Sequence, residues 1–81
     1  MIEYDPTEPK WRQIYAVVRR RIESGEYAPK SLVSEVKLEA EFGVTRTTIR
    51  KVTAQLREDG LIITRPSMGS FVTDQEVRSA E

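Results

Sequence analysis

Arg46 and Arg50 stand one helical turn apart in the run Val44–Arg57, VTRTTIRKVTAQLR, with Thr45, Thr47 and Thr48 beside them. A guanidinium presents a planar fork of donors that suits phosphate oxygens or paired acceptors on a base edge. Threonine hydroxyls and the free N–H groups of a helix start also hold phosphate. At helical spacing Arg46, Arg50, Thr53 and Arg57 fall within about 60° of one another, with Thr47 and Ala54 alongside. Ile49, Val52 and Leu56 recur on the other side as a stripe to be buried. The sixteen residues from Phe42 to Arg57 contain no Asp or Glu. Arginines at a helix start oppose the macrodipole, and at i, i+4 they repel each other unless an anion lies between them. A solvated face is the plainer reading of a charge run, but it leaves this placement unexplained; a phosphate backbone explains it.

Several chemistries are excluded by composition. The 81 residues contain no cysteine and no histidine. Disulfides, thiolate or imidazole zinc sites, Ser–His nucleophiles and the commonest general base are therefore absent. Ser34 and Lys37 have the i, i+3 spacing of some Ser–Lys nucleophiles, but at a helix start they read as a cap and a surface charge. The expectation is no enzyme, no metal and no cofactor. No apolar run approaches the length of a membrane span and no signal pattern follows Met1, so a soluble cytoplasmic protein is expected.

Net charge is zero, yet its distribution is uneven. Val44–Pro66 carries Arg46, Arg50, Lys51, Arg57 and Arg65 against Glu58 and Asp59, whereas Met1–Lys10, Ser34–Gly43 and Thr73–Glu81 are each acidic. One face can attract phosphate while overall neutrality keeps non-specific attraction low.

The elements that would position these residues follow from periodicity and caps. Residues 1–8 are polar and expected to fray, with Thr7 or Glu8 capping a helix whose first position is Pro9. Trp11, Ile14, Tyr15, Val18 and Ile22 form its apolar stripe. Arg19, Arg20 and Arg21 on the same helix could touch a phosphate backbone, or pair with Glu23 and Glu26. Ser31–Val33 is a short extended piece, and Ser34 caps a second helix over about Glu35–Phe42, with Leu38 and Phe42 inward and Gly43 as a left-handed stop. Thr45 then caps the third helix, with Val44 stapled onto Ile49. Two helices joined by so short a Gly-containing turn form a helix-turn-helix whose second helix is the reader. After a Glu58–Asp59–Gly60 cap, Leu61–Arg65 and Ser70–Thr73 read as a hairpin with Pro66–Gly69 at its tip. The predicted fold is mainly α with a small β-hairpin: a winged helix-turn-helix of three helices and a two-stranded wing over 9–73, followed by a tail or linker over 74–81.

The sequence resembles the N-terminal DNA-binding domain of the GntR family of bacterial transcription regulators. The resemblance rests on Pro9-x-Trp11-x-Gln13-Ile14, Ile22-x-Ser24-Gly25, Leu38-x-x-x-Phe42-Gly43-Val44-Thr45-Arg46-Thr47-Thr48-Ile49-Arg50 and Leu56-x-x-x-Gly60-Leu61-Ile62. It implies sequence-specific binding of double-stranded DNA by a repressor acting through occlusion, with helix 45–58 in the major groove and wing 65–70 at the backbone or minor groove. Arg46 and Arg50 match base-reading arginines, able to take guanine O6 and N7 together. Thr45, Thr47 and Thr48 match hydroxyls that hold phosphates. Arg65, Gly69 and Ser70 belong to the wing.

Departures from the family pattern accompany the match. Val36 replaces an arginine that often contacts a base, leaving Lys37 as its substitute. Glu39 stands where a small Ala usually packs, predicting a looser or shifted helix pair. Ser67 and Met68 replace a wing Gly and a basic residue. Family members continue into an effector-binding, dimerising domain absent from this chain, which reads as the reading head of a longer regulator or as a small free-standing one. A single module buries only roughly 600–1,000 Å² on DNA, so tight binding would call for a homodimer on a palindromic operator. The alternative reading is a winged helix used for protein–protein contact, with DNA binding lost.

Overall fold

The structure, a computed structural model, describes residues 3–74. Met1, Ile2 and the tail expected over 75–81 lie outside the described residues. Three helices, α1 (Lys10–Glu23), α2 (Glu35–Phe42) and α3 (Arg46–Glu58), alternate with β1 (Leu32–Val33) and lead into β2 (Ile62–Arg65) and β3 (Gly69–Val72). No helix among the described residues is long and apolar enough to cross a membrane.

The core forms where the stripes predicted for the three helices meet. Ile14, Val18 and Ile22 of α1 join Leu38 and Phe42 of α2 and Ile49, Val52 and Leu56 of α3 in one cluster, closed below by Val33, Leu61, Ile62 and Val72. Trp11, Tyr15 and Val44 pack at its margin. The Tyr15 hydroxyl donates to the Asp59 carboxylate, tying α1 to the end of α3.

The start of α1 differs from the expectation. Pro9 is the N-cap, in extended conformation (φ −59°, ψ 135°), and helical geometry begins at Lys10. Thr7 and Glu8 do not cap it. Thr7 is engaged locally, its hydroxyl and N–H both donating to Asp5 Oδ1 at 2.6 and 2.9 Å. Gln13 fastens the preceding segment instead: its amide donates to the carbonyls of Asp5 and Glu8 and accepts from the Asp5 N–H. Tyr4, in the stretch expected to fray, donates to the Phe42 carbonyl at 2.7 Å and so satisfies one orphan acceptor at the end of α2. Its partner is 38 residues away, beyond the reach of any local pattern.

The second helix is as expected at both ends. Ser34 Oγ accepts from the Lys37 N–H at 3.2 Å, and Gly43 adopts the left-handed conformation (φ 66°) that ends the helix. Arg21 joins α1 to α2 by a two-pronged pair with Glu41, while also donating to Tyr27 and lying over the Phe42 ring. Arg19 pairs with Glu23, and Arg21 also approaches Glu26 at 3.6 Å.

The wing is a β2–β3 hairpin, pairing Ile62 with Val72 and Arg65 with Gly69. The extended piece before α2 adds a third strand, giving the antiparallel order β1-β3-β2, with Leu32 opposite Phe71. The wing is therefore anchored to the segment that enters the helix-turn-helix. At the tip Ser67 has a positive φ of 65°, where a side chain is strained and the family's Gly would not be.

Three outcomes follow for stability. Phe42→Ala removes a ring 1% exposed at the junction of all three helices and should cost about 3–5 kcal/mol in urea unfolding. Ser34→Ala should cost about 1 kcal/mol through the lost cap. The Arg21 hydrogen bonds hold Glu41 below its ordinary carboxyl value of 4.5. The pair's contribution is thus full above pH 4.5 and disappears as the pH falls through the depressed value. Glu41→Gln should flatten that acid limb in thermal melts, leaving the midpoint near neutrality lowered and less dependent on pH.

Candidate nucleic-acid interface

Gly43 sets the approach of the two helices. Its N–H and that of Val44 both donate to the Glu39 carbonyl, at 2.9 and 3.3 Å, and the chain re-enters helix at Arg46 after three residues. This turn puts the start of α2 beside the exposed flank of α3, while the hairpin approaches from the other side. The result is an open groove of about 680 Å³. Val33, Ser34, Glu35 and Val36 form one wall, Arg46, Arg50, Thr53, Ala54 and Arg57 the floor, and Thr64, Gly69 and Ser70 the other wall.

The arginines differ in their tethers. Arg46 Nε donates to Glu39 Oε2 at 2.7 Å, which raises the guanidinium pKa above its ordinary value. Arg57 Nη1 donates to Thr64 Oγ1 at 3.1 Å, and Thr64 shares a 2.9 Å hydrogen bond with Ser70, so a polar relay joins the end of α3 to both strands of the wing. Arg50 is exposed and makes no ion pair with another described residue. The floor thus holds three cations, one of them uncommitted.

Two residues of the α3 pattern sit differently from the sequence expectation. Thr53, placed by helical angle on the basic face, is 1% exposed, with its hydroxyl 3.2 Å from Glu35 Oε2 and from the Arg50 carbonyl. Helical period gives a direction but not a neighbour, and here α2 covers that direction. Thr45 occupies the N-cap position in extended conformation (φ −80°, ψ 165°), but its hydroxyl makes no capping bond. It lies 3.5 Å from the Thr48 hydroxyl instead. Thr45 and Thr47 are exposed and Thr48 is half-buried, all three at the start of α3.

The remaining expected residues divide between faces. Val36 lines the groove where the family often has arginine, and Lys37 lies outside it, lining a separate cleft with Tyr27, Leu32 and Leu38. Ser70 and Gly69 reach the groove, but Arg65 lines a pocket with Ile63, Met68 and Phe71 on the other face of the sheet. The two-residue period of a strand accounts for this, since Thr64 turns toward α3 and its neighbours Ile63 and Arg65 turn away. Gly69 has φ 109°, which strains any side chain, and a Cβ there would press the exposed Leu32 Cδ1 at 3.1 Å. The Glu39 side chain is 25% exposed and turned to Arg46. Glu39, Glu35 and Thr64 were not singled out as site residues from the sequence, because each acts through a partner on another element. The acid-free basic run is what could have drawn attention to the nearest acids as its counter-charges.

Residues 10–72 match the family model described as bacterial regulatory proteins, gntR family. Over 70 residues the chain is 39% identical to the HTH-type transcriptional repressor RspR of Escherichia coli, a match covering 86% of this chain and 31% of that protein. It is 30% identical over 73 residues to the histidine utilization repressor of Klebsiella aerogenes, covering 89% of this chain and 30% of that one. The chain therefore spans under a third of the length of these relatives. Among solved structures, a GntR family transcriptional regulator from Listeria monocytogenes superimposes with TM-score 0.83 at 28% identity, covering 95% of this chain and 69% of that one. AraR(DBD) in complex with operator superimposes with TM-score 0.79 at 30% identity, covering 89% and 93%. With its three helices, wing and family match extending over 10–72, this chain belongs to the gntR family of bacterial regulatory proteins.

Proposed function

We propose that this chain is the sequence-specific, double-stranded DNA-binding head of a bacterial transcriptional repressor. The observation that carries the reading is the groove itself: three arginines on the exposed flank of α3, with the hydroxyls of Ser34, Thr64 and Ser70 on the walls formed by the start of α2 and the wing. The similarity to an AraR(DBD) structure in complex with operator supports DNA as the ligand. In this reading α3 lies in the major groove. Arg46 and Arg50 read base edges, and Thr45, Thr47 and Thr48 hold phosphates and fix register. Gly69 and Ser70 meet the backbone or the minor groove. Arg65, on the far face of the wing, and Lys37, in its own cleft, can reach only phosphates at the margins.

Val36 narrows recognition. A valine presents methyl groups where an arginine would offer a donor fork, so at that position it suits a thymine methyl better than guanine. Two copies on a palindromic operator, with half-sites about one helical turn apart, would supply the affinity that one module lacks. An effector-binding and dimerising domain elsewhere in the whole protein, cytoplasmic location and the absence of catalysis all accord with this role. The alternative of a winged helix specialised for protein contact is not favoured, since the basic floor of the groove is retained.

The reading is tested by amide-resolved NMR titration with a random-sequence duplex at low and higher salt. Salt-weakened shifts confined to the start of α3 and to residues 64–70 are expected; silence there with the fold intact would refute DNA binding. Against a selected operator, Arg50→Ala should cost about 1–3 kcal/mol and relax preference at one base pair, measured by fluorescence anisotropy across single-base variants. Thr47→Val should weaken all duplexes by a similar factor and leave sequence preference unchanged.

A further inference from the structure

Glu39 projects from α2 to the first residue of α3, where its carboxylate binds Arg46 through Nε alone. A guanidinium has five N–H donors, and Nε takes only one of them. No other hydrogen bond to a described residue holds it, so both Nη groups keep their donors, on a residue that lines the groove. The Arg46 side chain is 49% exposed, and a long side chain so placed would otherwise sample many rotamers. Glu39 is less exposed, at 25%, and projects from a helix whose Leu38 and Phe42 are buried, which makes it the more rigid member of the pair.

We propose that Glu39 is a specificity-determining positioning residue, which holds Arg46 by Nε so that its two Nη groups meet a guanine edge together. The inference rests on the DNA-binding reading above and adds to it a residue that touches no base. Two consequences act in the same direction. Fixing the fork before DNA arrives strengthens the paired contact with O6 and N7, which a freely rotating arginine makes less selectively. The carboxylate also stands on a phosphate-facing surface, where it weakens sequence-independent attraction. Glu39 thus raises the ratio of specific to non-specific binding from both sides. Glu35, the acid that lines this groove, is within reach of the Thr53 hydroxyl and adds only a lesser Coulombic attraction to Arg46, which Glu39 holds directly.

The test uses the whole chain with the variants E39A, E39Q and R46A and the double variant, each selected against a randomised duplex pool. Affinity for one unselected duplex is measured in parallel as a function of salt. R46A identifies the base pair that Arg46 reads. At that base pair E39A should lower the preference about 10-fold, within the range of one bidentate contact, and E39Q, which retains an acceptor oxygen, should lower it less. Binding of the unselected duplex should rise about 2-fold at low salt and converge with the parent at high salt. In the R46A background E39A should change no base preference. Circular dichroism checks the fold, and E39Q, of nearly the same shape as glutamate, carries the test if E39A unfolds. Unchanged preference, an equal loss at every position, or a loss that persists without Arg46 would overturn the proposal. So would tighter binding of selected sequences with preference intact, which would make Glu39 a competitor of the base. If the parent chain enriched no sequence, DNA reading itself would fail, and the proposal with it.

Discussion

The apolar stripe of α3 sets how this helix is turned, and the groove is built around that orientation. Ile49, Val52 and Leu56 are wholly buried, and they meet α1 on one side and α2 on the other. A helix with one side committed in this way cannot rotate about its axis. The opposite flank, with Arg46, Arg50 and Arg57, must then face outward whatever else happens. Burial of three aliphatic side chains, each contributing about 1.5–3 kcal/mol, holds in place a basic face that would not order itself. The cost of placing cations at a helix start is thereby imposed on α3 by packing and met locally by Glu39.

The other elements complete the surface around that face. Gly43 brings α2 in at the one place where its first turn can form a wall, and the positive φ there is the reason a glycine suits the position. The wing is steadied twice. Leu32 and Val33 add a third strand that ties it to the entrance of α2, and the Arg57–Thr64–Ser70 relay ties it to the end of α3. Most backbone groups of this small sheet are thus paired, and the tip with Met68, 67% exposed, is the part left to solvent.

Charge is arranged around the groove with the same economy. The chain as a whole is neutral, and its acids are kept out of Phe42–Arg57; two of them, Glu23 and Glu41, pair with arginines that do not enter the groove. Arg21 is consumed by Glu41 between α1 and α2, which leaves the positive potential of α3 as the field a polyanion would meet. The match to the gntR family model extends over 10–72, the same span that carries this division of charge.

The three helices, the Ser34 cap, the Gly43 stop, the hairpin and the basic character of α3 are all legible along the chain. These depend on short-range periodicity and on residues whose conformational preferences act within a few positions. Which polar groups meet is a consequence of packing. Thr53 is buried because α2 covers it, Thr45 leaves the backbone uncapped in favour of Thr48, and Arg65 turns to the far face of the wing. Tyr4 reaches the end of α2, Leu32–Val33 becomes a strand, and Glu39 takes hold of Arg46. The physical reason is common to all of them. A hydrogen bond or ion pair between elements depends on distances set by the packed core, and no local spacing along the chain encodes those distances.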